Sequence, residues 1–127
     1  MLLTPERMVW VQAPYSKERG AFSRAAFATS NDVRTFEDLY NDSSPRPLLE
    51  SVWRRLENSK SWNVRKPADV KEDVSAMIDL FNTGRVTAPI ILNYARDKYW
   101  LVAGEQQLLV SRVSGITPKV VFVRTYR

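Results

Sequence analysis

The chain has 127 residues, of which 44% are apolar, and this content is enough to enclose one hydrophobic core. It contains no cysteine and no histidine, which excludes disulfides, zinc-thiolate sites, thiol nucleophiles and Ser-His-Asp catalysis. The net charge is +5; residues 1–60 carry nine basic and eight acidic side chains, and residues 61–127 carry ten and six. This excess favours anionic partners such as phosphates or nucleic acid, and it is equally typical of a surface charge that only aids solubility.

No segment of the sequence approaches the roughly 18 apolar residues of a membrane-spanning helix. The first apolar run, which begins at Met1, ends after three residues and does not resemble a targeting segment. We therefore expect one soluble, untargeted domain over residues 1–127, located in the cytoplasm.

Residues 1–28 carry weak structural signals. Met8-Val9-Trp10-Val11 predicts a short strand. The segment from Ala21 to Ala28 is small and apolar, but it has no clear capping residues at its ends. We assign no element to it.

Two short helices are predicted between residues 30 and 57. The first has Ser30 or Asn31 as its N-cap, and its apolar face consists of Val33, Phe36, Leu39 and Tyr40. The second follows the start signal at Pro47, and its apolar residues recur at helical spacing: Leu49, Val52, Trp53 and Leu56. Arg54 and Arg55 are then expected to face outward. Clusters of turn-forming residues at 41–47 and 58–63 follow the two helices.

The strongest helical pattern lies between Pro67 and Gly84. Its apolar residues recur every three or four positions or directly adjoin one another: Val70, Val74, Met77, Ile78 and Phe81. Pro67 before the pattern and Gly84 after it are the usual signals for the beginning and the end of a helix.

Beyond Gly84 the apolar pattern changes to that of strands. Residues 89–94 predict a buried strand, and residues 99–102 its partner across a polar turn. A helix is predicted over residues 105–114, opened by Gly104 and closed by Gly115, and a last strand over residues 119–123. The predicted order is therefore helix, strand, strand, helix, strand.

Four stretches in this half carry a family resemblance: Asn63-Val64-Arg65-Lys66, Ala88-Pro89-Ile90-Ile91-Leu92, Leu101-Val102-Ala103-Gly104-Glu105 and Ser114-Gly115-Ile116-Thr117-Pro118-Lys119-Val120. Together with the order of elements, they make residues 62–125 resemble the N-terminal domain of ParB proteins, in the ParB/sulfiredoxin-like superfamily. The resemblance implies an α+β fold with a small mixed sheet and packed helices. Residues 62–127 would form this core, and residues 1–60 a largely helical extension.

The resemblance also implies a phosphate-binding site where the helix opens at Gly104. The unpaired N–H groups and the positive dipole end of a helix start attract anions. Glu105 is the tentative catalytic residue, since a carboxylate beside a phosphate can bind Mg²⁺ or accept a proton. A glycine before a helix and a glutamate in its first turn are also explained without any ligand.

Four further residues belong to the implied phosphate site. The family has two arginines after Gly-Glu, and this chain has Gln106 and Gln107, which donate hydrogen bonds but carry no charge. Arg65 and Lys66 match a stretch that lines the same pocket in the family. Arg112, further along the helix, is another candidate, and solvated surface charge is the alternative role of all three cations.

A second group of residues combines basic and aromatic side chains near the hairpin and the last strand. Its members are Arg96, Lys98, Lys119, Arg124 and Arg127, with Tyr94, Tyr99, Trp100 and Tyr126 nearby. Such a combination can hold single-stranded nucleic acid by charge and stacking. Packing within the sheet is the commoner role of such aromatic residues.

We therefore expect a ParB-like protein that binds a nucleotide or nucleic-acid phosphate, acting in DNA metabolism in a bacterial or phage-infected cell, as a phage or mobile-element factor. An enzyme of this kind would perform metal-assisted phosphoryl transfer or nuclease-type hydrolysis through Glu105, with Mg²⁺ and a nucleoside triphosphate. The alternative is a non-catalytic protein–protein interaction module, which the loss of the two arginines favours.

Overall fold

The structure, a computed structural model, describes residues 8–62 and 71–126, with side chains described outside residues 71–74. The elements in this part of the chain are β1 (Val9–Val11), α1 (Tyr15–Thr29), a 3-10 turn (Val33–Thr35), α2 (Phe36–Asn41), β2 (Arg46–Pro47), α3 (Glu50–Glu57), α4 (Lys71–Thr83), β3 (Arg85–Thr87), β4 (Ile90–Ala95), β5 (Lys98–Ala103), α5 (Glu105–Ser114) and β6 (Lys119–Arg124). The protein is thus α+β, as predicted.

The larger sheet has four strands in the order β2-β6-β4-β5. Strands β4 and β6 are parallel, with Ile90 opposite Val121, while β5 and β2 run antiparallel to their neighbours. A smaller sheet consists of β1 and β3, which are parallel and place Trp10 opposite Val86. The segment predicted as a helical extension, residues 1–60, therefore contributes a strand to each sheet.

Strand β4 is buried on both faces, which explains its continuous apolar run. Ile90 and Leu92 face a core that also contains residues of α1 and α2. Ile91 faces the other side, where Trp53 and Leu56 of α3 pack against the sheet. The main sheet is therefore enclosed by α1 and α2 on one face and by α3 on part of the other.

Most of the predicted elements are confirmed: β1, α3 with Arg54 and Arg55 exposed, the β4–β5 hairpin, α5 and β6. In α4, Met77 and Phe81 are buried as expected, whereas Ile78 is 39% exposed. The predicted Val70 and Pro67 lie outside the described residues. Among the described side chains of α4, the buried apolar stripe is therefore narrower than the sequence pattern indicates.

The predicted helix through Val33, Phe36 and Tyr40 is present as the 3-10 turn and α2, but its predicted cap at Ser30 or Asn31 is wrong. Ser30 instead ends α1 in a left-handed conformation, with φ 57°. Asp32 is the cap that follows, since its Oδ1 accepts a hydrogen bond of 2.9 Å from the Arg34 backbone N–H and opens the 3-10 turn. The unassigned segment from Ala21 to Ala28 belongs to α1, which begins after Pro14 without a side-chain cap.

The short strands β2 and β3 had no predicted counterpart. They comprise two and three residues, too few for an alternating pattern to be recognised, and their pairing partners are distant in the chain. None of the helices in the described ranges has the length and apolarity that a membrane crossing requires.

Candidate functional site

The start of α5, where a phosphate site was predicted, is built around a close packing contact. Gly104 has φ 104° and ψ 28°, and its carbonyl accepts the first helical hydrogen bond, of 3.0 Å, from Leu108. A Cβ atom at this position would lie 2.5 Å from the Cβ of Pro89. Both the dihedral angle and the contact require glycine here, whether or not a ligand binds.

The residues after Gly104 have few partners in the described part of the chain. Glu105 is exposed, and its side chain forms no hydrogen bond or ion pair with a described residue. Gln106 is partly buried, and the Gln107 side-chain amide donates a hydrogen bond of 3.4 Å to the Thr87 carbonyl. Arg65 and Lys66, predicted to complete the site, lie outside the described residues.

No metal centre is preformed among the residues that the structure describes, since they contain no group of three or more carboxylates able to hold an ion. A Mg²⁺ ion at Glu105 would therefore be coordinated otherwise by phosphate oxygens of a bound molecule and by water. This is a common mode of Mg²⁺ binding. Glu105 would be its protein ligand in that case.

Arg112 has a structural role. Its guanidinium donates hydrogen bonds of 2.9 Å to both carboxylate oxygens of Glu50, and another to Glu57. It also lies 3.7 Å from the ring centroid of Trp53. The guanidinium hydrogen bonds lower the pKa of the Glu50 carboxyl. Arg112 thus joins α5 to α3, and its charge is not left free for a phosphate.

A cleft of about 280 Å³ opens at the carboxyl ends of the parallel strands β4 and β6, and we call it the basic cleft. It is lined by Asp42, Ser43, Ser44, Arg46, Asn93, Tyr99, Phe122 and Arg124. The ends of parallel strands are a frequent place for ligands in open sheets, because the chain there leaves the sheet and frees its polar groups.

The alternation of residues along β6 produces this cleft. Val120, Phe122 and Arg124 succeed one another on the face that α3 covers, and their side chains become less buried towards the end of the strand. Helix α3 has only eight residues, about 12 Å in length, so it covers the first part of this face and leaves the end open.

The two arginines of the basic cleft lack acidic partners. Arg46 and Arg124 are exposed, and neither forms an ion pair with a described residue. The Arg124 guanidinium lies 4.4 Å from the ring centroid of Tyr126, which is a cation–π contact. Asp42 is the one acidic side chain among the lining residues that the structure describes. The cleft is therefore attractive to anions.

Hydrogen bonds hold the walls of the basic cleft in place. The Ser43 hydroxyl lies 2.8 Å from the Leu39 carbonyl and 2.9 Å from the Phe122 carbonyl. The Asn93 side-chain amide donates to the carbonyls of Ala95 and Lys98, both at 2.9 Å, and so stabilises the hairpin turn. The cleft is thus formed without a ligand, which lowers the entropic cost of binding.

Tyr99 and Phe122 supply partly buried aromatic surface to the cleft. Burial is the largest effect on Tyr99 and raises the pKa of its phenol, and the nearby Asp97 and Tyr126 raise it further. The ring therefore carries a neutral hydroxyl at neutral pH, which can both donate and accept hydrogen bonds.

Within the predicted basic and aromatic group, the structure separates Lys119 from Arg124 and Tyr99. Arg124 and Tyr99 line the basic cleft, whereas Lys119 lies at the opposite end of β6. Arg127 lies outside the described residues. Arg46 was not predicted, because it stands in a turn-forming cluster between two prolines, where an arginine carries no recognisable signal.

No protein-family model matches the chain, and neither a curated protein nor a solved structure matches it significantly. The likeness of residues 62–125 to ParB domains stays a prediction. The geometry of the described residues is therefore the basis for the functional argument.

Proposed function

We propose that the protein binds a phosphate-bearing ligand, a nucleotide or a nucleic acid, in the basic cleft. The observation that carries this proposal is the pair Arg46 and Arg124, which have no acidic partner among the described residues and lie beside the aromatic surface of Tyr99 and Phe122. Guanidinium groups match the geometry of phosphate oxygens, and aromatic side chains stack on bases. The cleft offers both kinds of contact within one small volume.

Binding is a better-supported function for this cleft than catalysis. Asp42 is exposed at its rim, and no second carboxylate lines it within the described chain. Metal-assisted phosphoryl transfer depends on carboxylates that hold the ion and orient the attacking group. We therefore propose a binding protein, active in the cytoplasm where nucleotides and nucleic acids are at hand.

The test is calorimetric titration with ATP, CTP and a short single-stranded DNA, with and without Mg²⁺. We expect Arg46→Gln and Arg124→Gln each to weaken binding roughly 10-fold or more, since a hydrogen-bonded charge contributes about 1.5–3 kcal/mol. Lys119→Gln is the matched control for Arg124→Gln, because it removes the same charge about 17 Å from Arg124 along β6 and on the opposite face of the strand.

Glu105→Gln distinguishes the basic cleft from the start of α5. If Glu105→Gln leaves the affinity for the ligand unchanged and Arg124→Gln lowers it, the result supports the basic cleft as the binding site. The reverse pattern would place the ligand at Gly104 and overturn the assignment of the site. Lack of binding to all three ligands would refute the proposed function and favour a role in protein–protein interaction.

A further inference from the structure

We propose that the ligand is a single strand of nucleic acid that continues from the basic cleft into a second cleft, and not an isolated nucleotide. This inference rests on the proposed function. It is motivated by a second cleft of about 460 Å³ beside strand β5, which we call the edge cleft. Its lining residues are Ala28, Arg55, Asn58, Ser59, Lys60, Tyr94, Asp97, Lys98, Tyr99 and Trp100.

The two clefts are adjacent because they share Tyr99. Strand β5, which carries Tyr99, is an edge strand of the main sheet, so no further strand covers its outer side. Successive residues of a strand point to opposite faces, and Tyr99 and Trp100 therefore expose aromatic surface on both sides of this edge. A flexible ligand can pass from one cleft to the other around the edge.

Positive charge continues along the same path. Arg55, Lys60 and Lys98 line the edge cleft, are exposed, and form no ion pair with a described residue. Asp97 is the one acidic side chain among the described residues that line it. The described residues that line the two clefts include five basic and two acidic side chains. A mononucleotide carries its charge at one point, whereas a strand carries one phosphate per nucleotide and matches a series of cations.

The aromatic side chains favour a single strand over a duplex. Tyr94, Tyr99 and Trp100 are partly buried, and the aromatic surface that they leave open can stack on the faces of bases. In a duplex these faces are stacked on neighbouring base pairs, whereas an unpaired strand exposes them. Stacking of this kind contributes about 1–3 kcal/mol per base and tolerates any sequence.

The experiment is fluorescence anisotropy with labelled oligonucleotides of one to twelve residues, in DNA and RNA series, together with a duplex of equal length. We expect affinity to rise with length and to level off on the order of 4–8 nucleotides, once both clefts are occupied. With five basic side chains in contact, the plot of log affinity against log salt should have a slope of roughly −3.5.

Substitutions in the edge cleft separate this inference from the proposed function. Lys60→Gln and Lys98→Gln should each lower oligonucleotide affinity several-fold and reduce the salt slope by about 0.7, while leaving mononucleotide binding unchanged. Lys17→Gln, an exposed lysine of α1 outside both clefts, is the control and should change nothing.

Two outcomes would overturn the inference while the proposed function stands. One is an affinity that does not increase beyond a single nucleotide, with Lys60→Gln and Lys98→Gln indistinguishable from the parent protein. The other is equal or tighter binding of the duplex. Absence of mononucleotide and oligonucleotide binding would instead contradict both proposals. A difference between the DNA and RNA series identifies which strand the clefts prefer.

Discussion

Gly104 and Gly115 lie immediately before and after α5, and both adopt positive φ angles, of 104° and 69°. Their surroundings differ. A Cβ at Gly104 would lie 2.5 Å from Pro89, whereas nothing lies within 4 Å of a Cβ at Gly115. At Gly115, glycine is therefore required only by the positive φ angle. At Gly104, it is required by the positive φ angle and by the lack of space for a side chain.

We expect Gly104→Ala to lower the free energy of unfolding by about 2–4 kcal/mol, because backbone strain and a steric conflict act together. Gly115→Ala should cost about 1 kcal/mol, from strain alone. Urea denaturation followed by far-UV circular dichroism measures both values. Equal losses in the two variants would show that contact with Pro89 is unimportant.

The local sequence predicts the structural role of some residues and not of others. A glycine between a strand and a helix is a local signal, and Gly104 was correctly predicted to open α5. Its contact with Pro89 depends on how α5 crosses β4, which no local pattern encodes. The roles of Arg112 and Arg46 also could not be predicted, since each depends on residues brought together from distant parts of the chain.

Helices α3 and α5 are joined through Arg112, which contacts Glu50, Glu57 and the buried ring of Trp53. The folded protein holds the pKa of Glu50 below its ordinary value of 4.5, and the hydrogen bond from Arg112 is the largest cause that lowers it. Because this pKa is lower in the folded state, ionised Glu50 contributes to the free energy of unfolding, and the contribution is complete above pH 4.5. The contribution is lost as the pH falls through the folded-state pKa.

Arg112→Met should destabilise the protein at pH 7, with loss of the cation–π contact alone costing about 0.5–2 kcal/mol. The loss in the free energy of unfolding relative to the parent protein should become smaller below pH 4.5, because a protonated Glu50 carboxyl is no longer attracted to the guanidinium. Urea denaturation at pH 7 and pH 3.5 tests this.

Arg54→Met is the control for the Arg112 experiment. Arg54 also hydrogen-bonds Glu50, but it is highly exposed and makes a single contact of 3.2 Å. Replacing Arg54 should lower the free energy of unfolding by less than Arg112→Met does, at pH 7 and at pH 3.5. An Arg112→Met variant whose destabilisation is the same at pH 7 and pH 3.5 would show that Glu50 does not contribute through its charge.

The aromatic core connects helices α1 and α2 to the main sheet. Phe22 of α1 is fully buried, and its ring centroid lies 5.2 Å from that of Phe36 and 5.5 Å from that of Tyr40. The same core contains Leu92 of β4 and Val121 of β6. We expect all these elements to unfold together, as one domain over residues 1–127.

Phe22→Ala should lower the free energy of unfolding by about 3–5 kcal/mol. Phe27→Ala, on the same helix but with Phe27 91% exposed, is the control and should change it by less than about 0.5 kcal/mol. Tryptophan fluorescence and far-UV circular dichroism should report one coincident transition, shifted as a whole in Phe22→Ala. Two separate transitions, of which only one shifts, would contradict a single cooperative unit.

The α+β class and most elements of residues 50–62 and 75–124 follow from local information. Apolar periodicity, prolines and glycines act within a few residues, and they suffice for α3, the hairpin, α5 and β6. The candidate clefts do not follow from such signals. Arg46 lies in the same cleft as Arg124 because β2 pairs with β6, and Tyr99 joins two clefts because β5 is an edge strand. Strand pairing joins distant segments without leaving a periodic trace in either, so these sites exist only once the chain has folded.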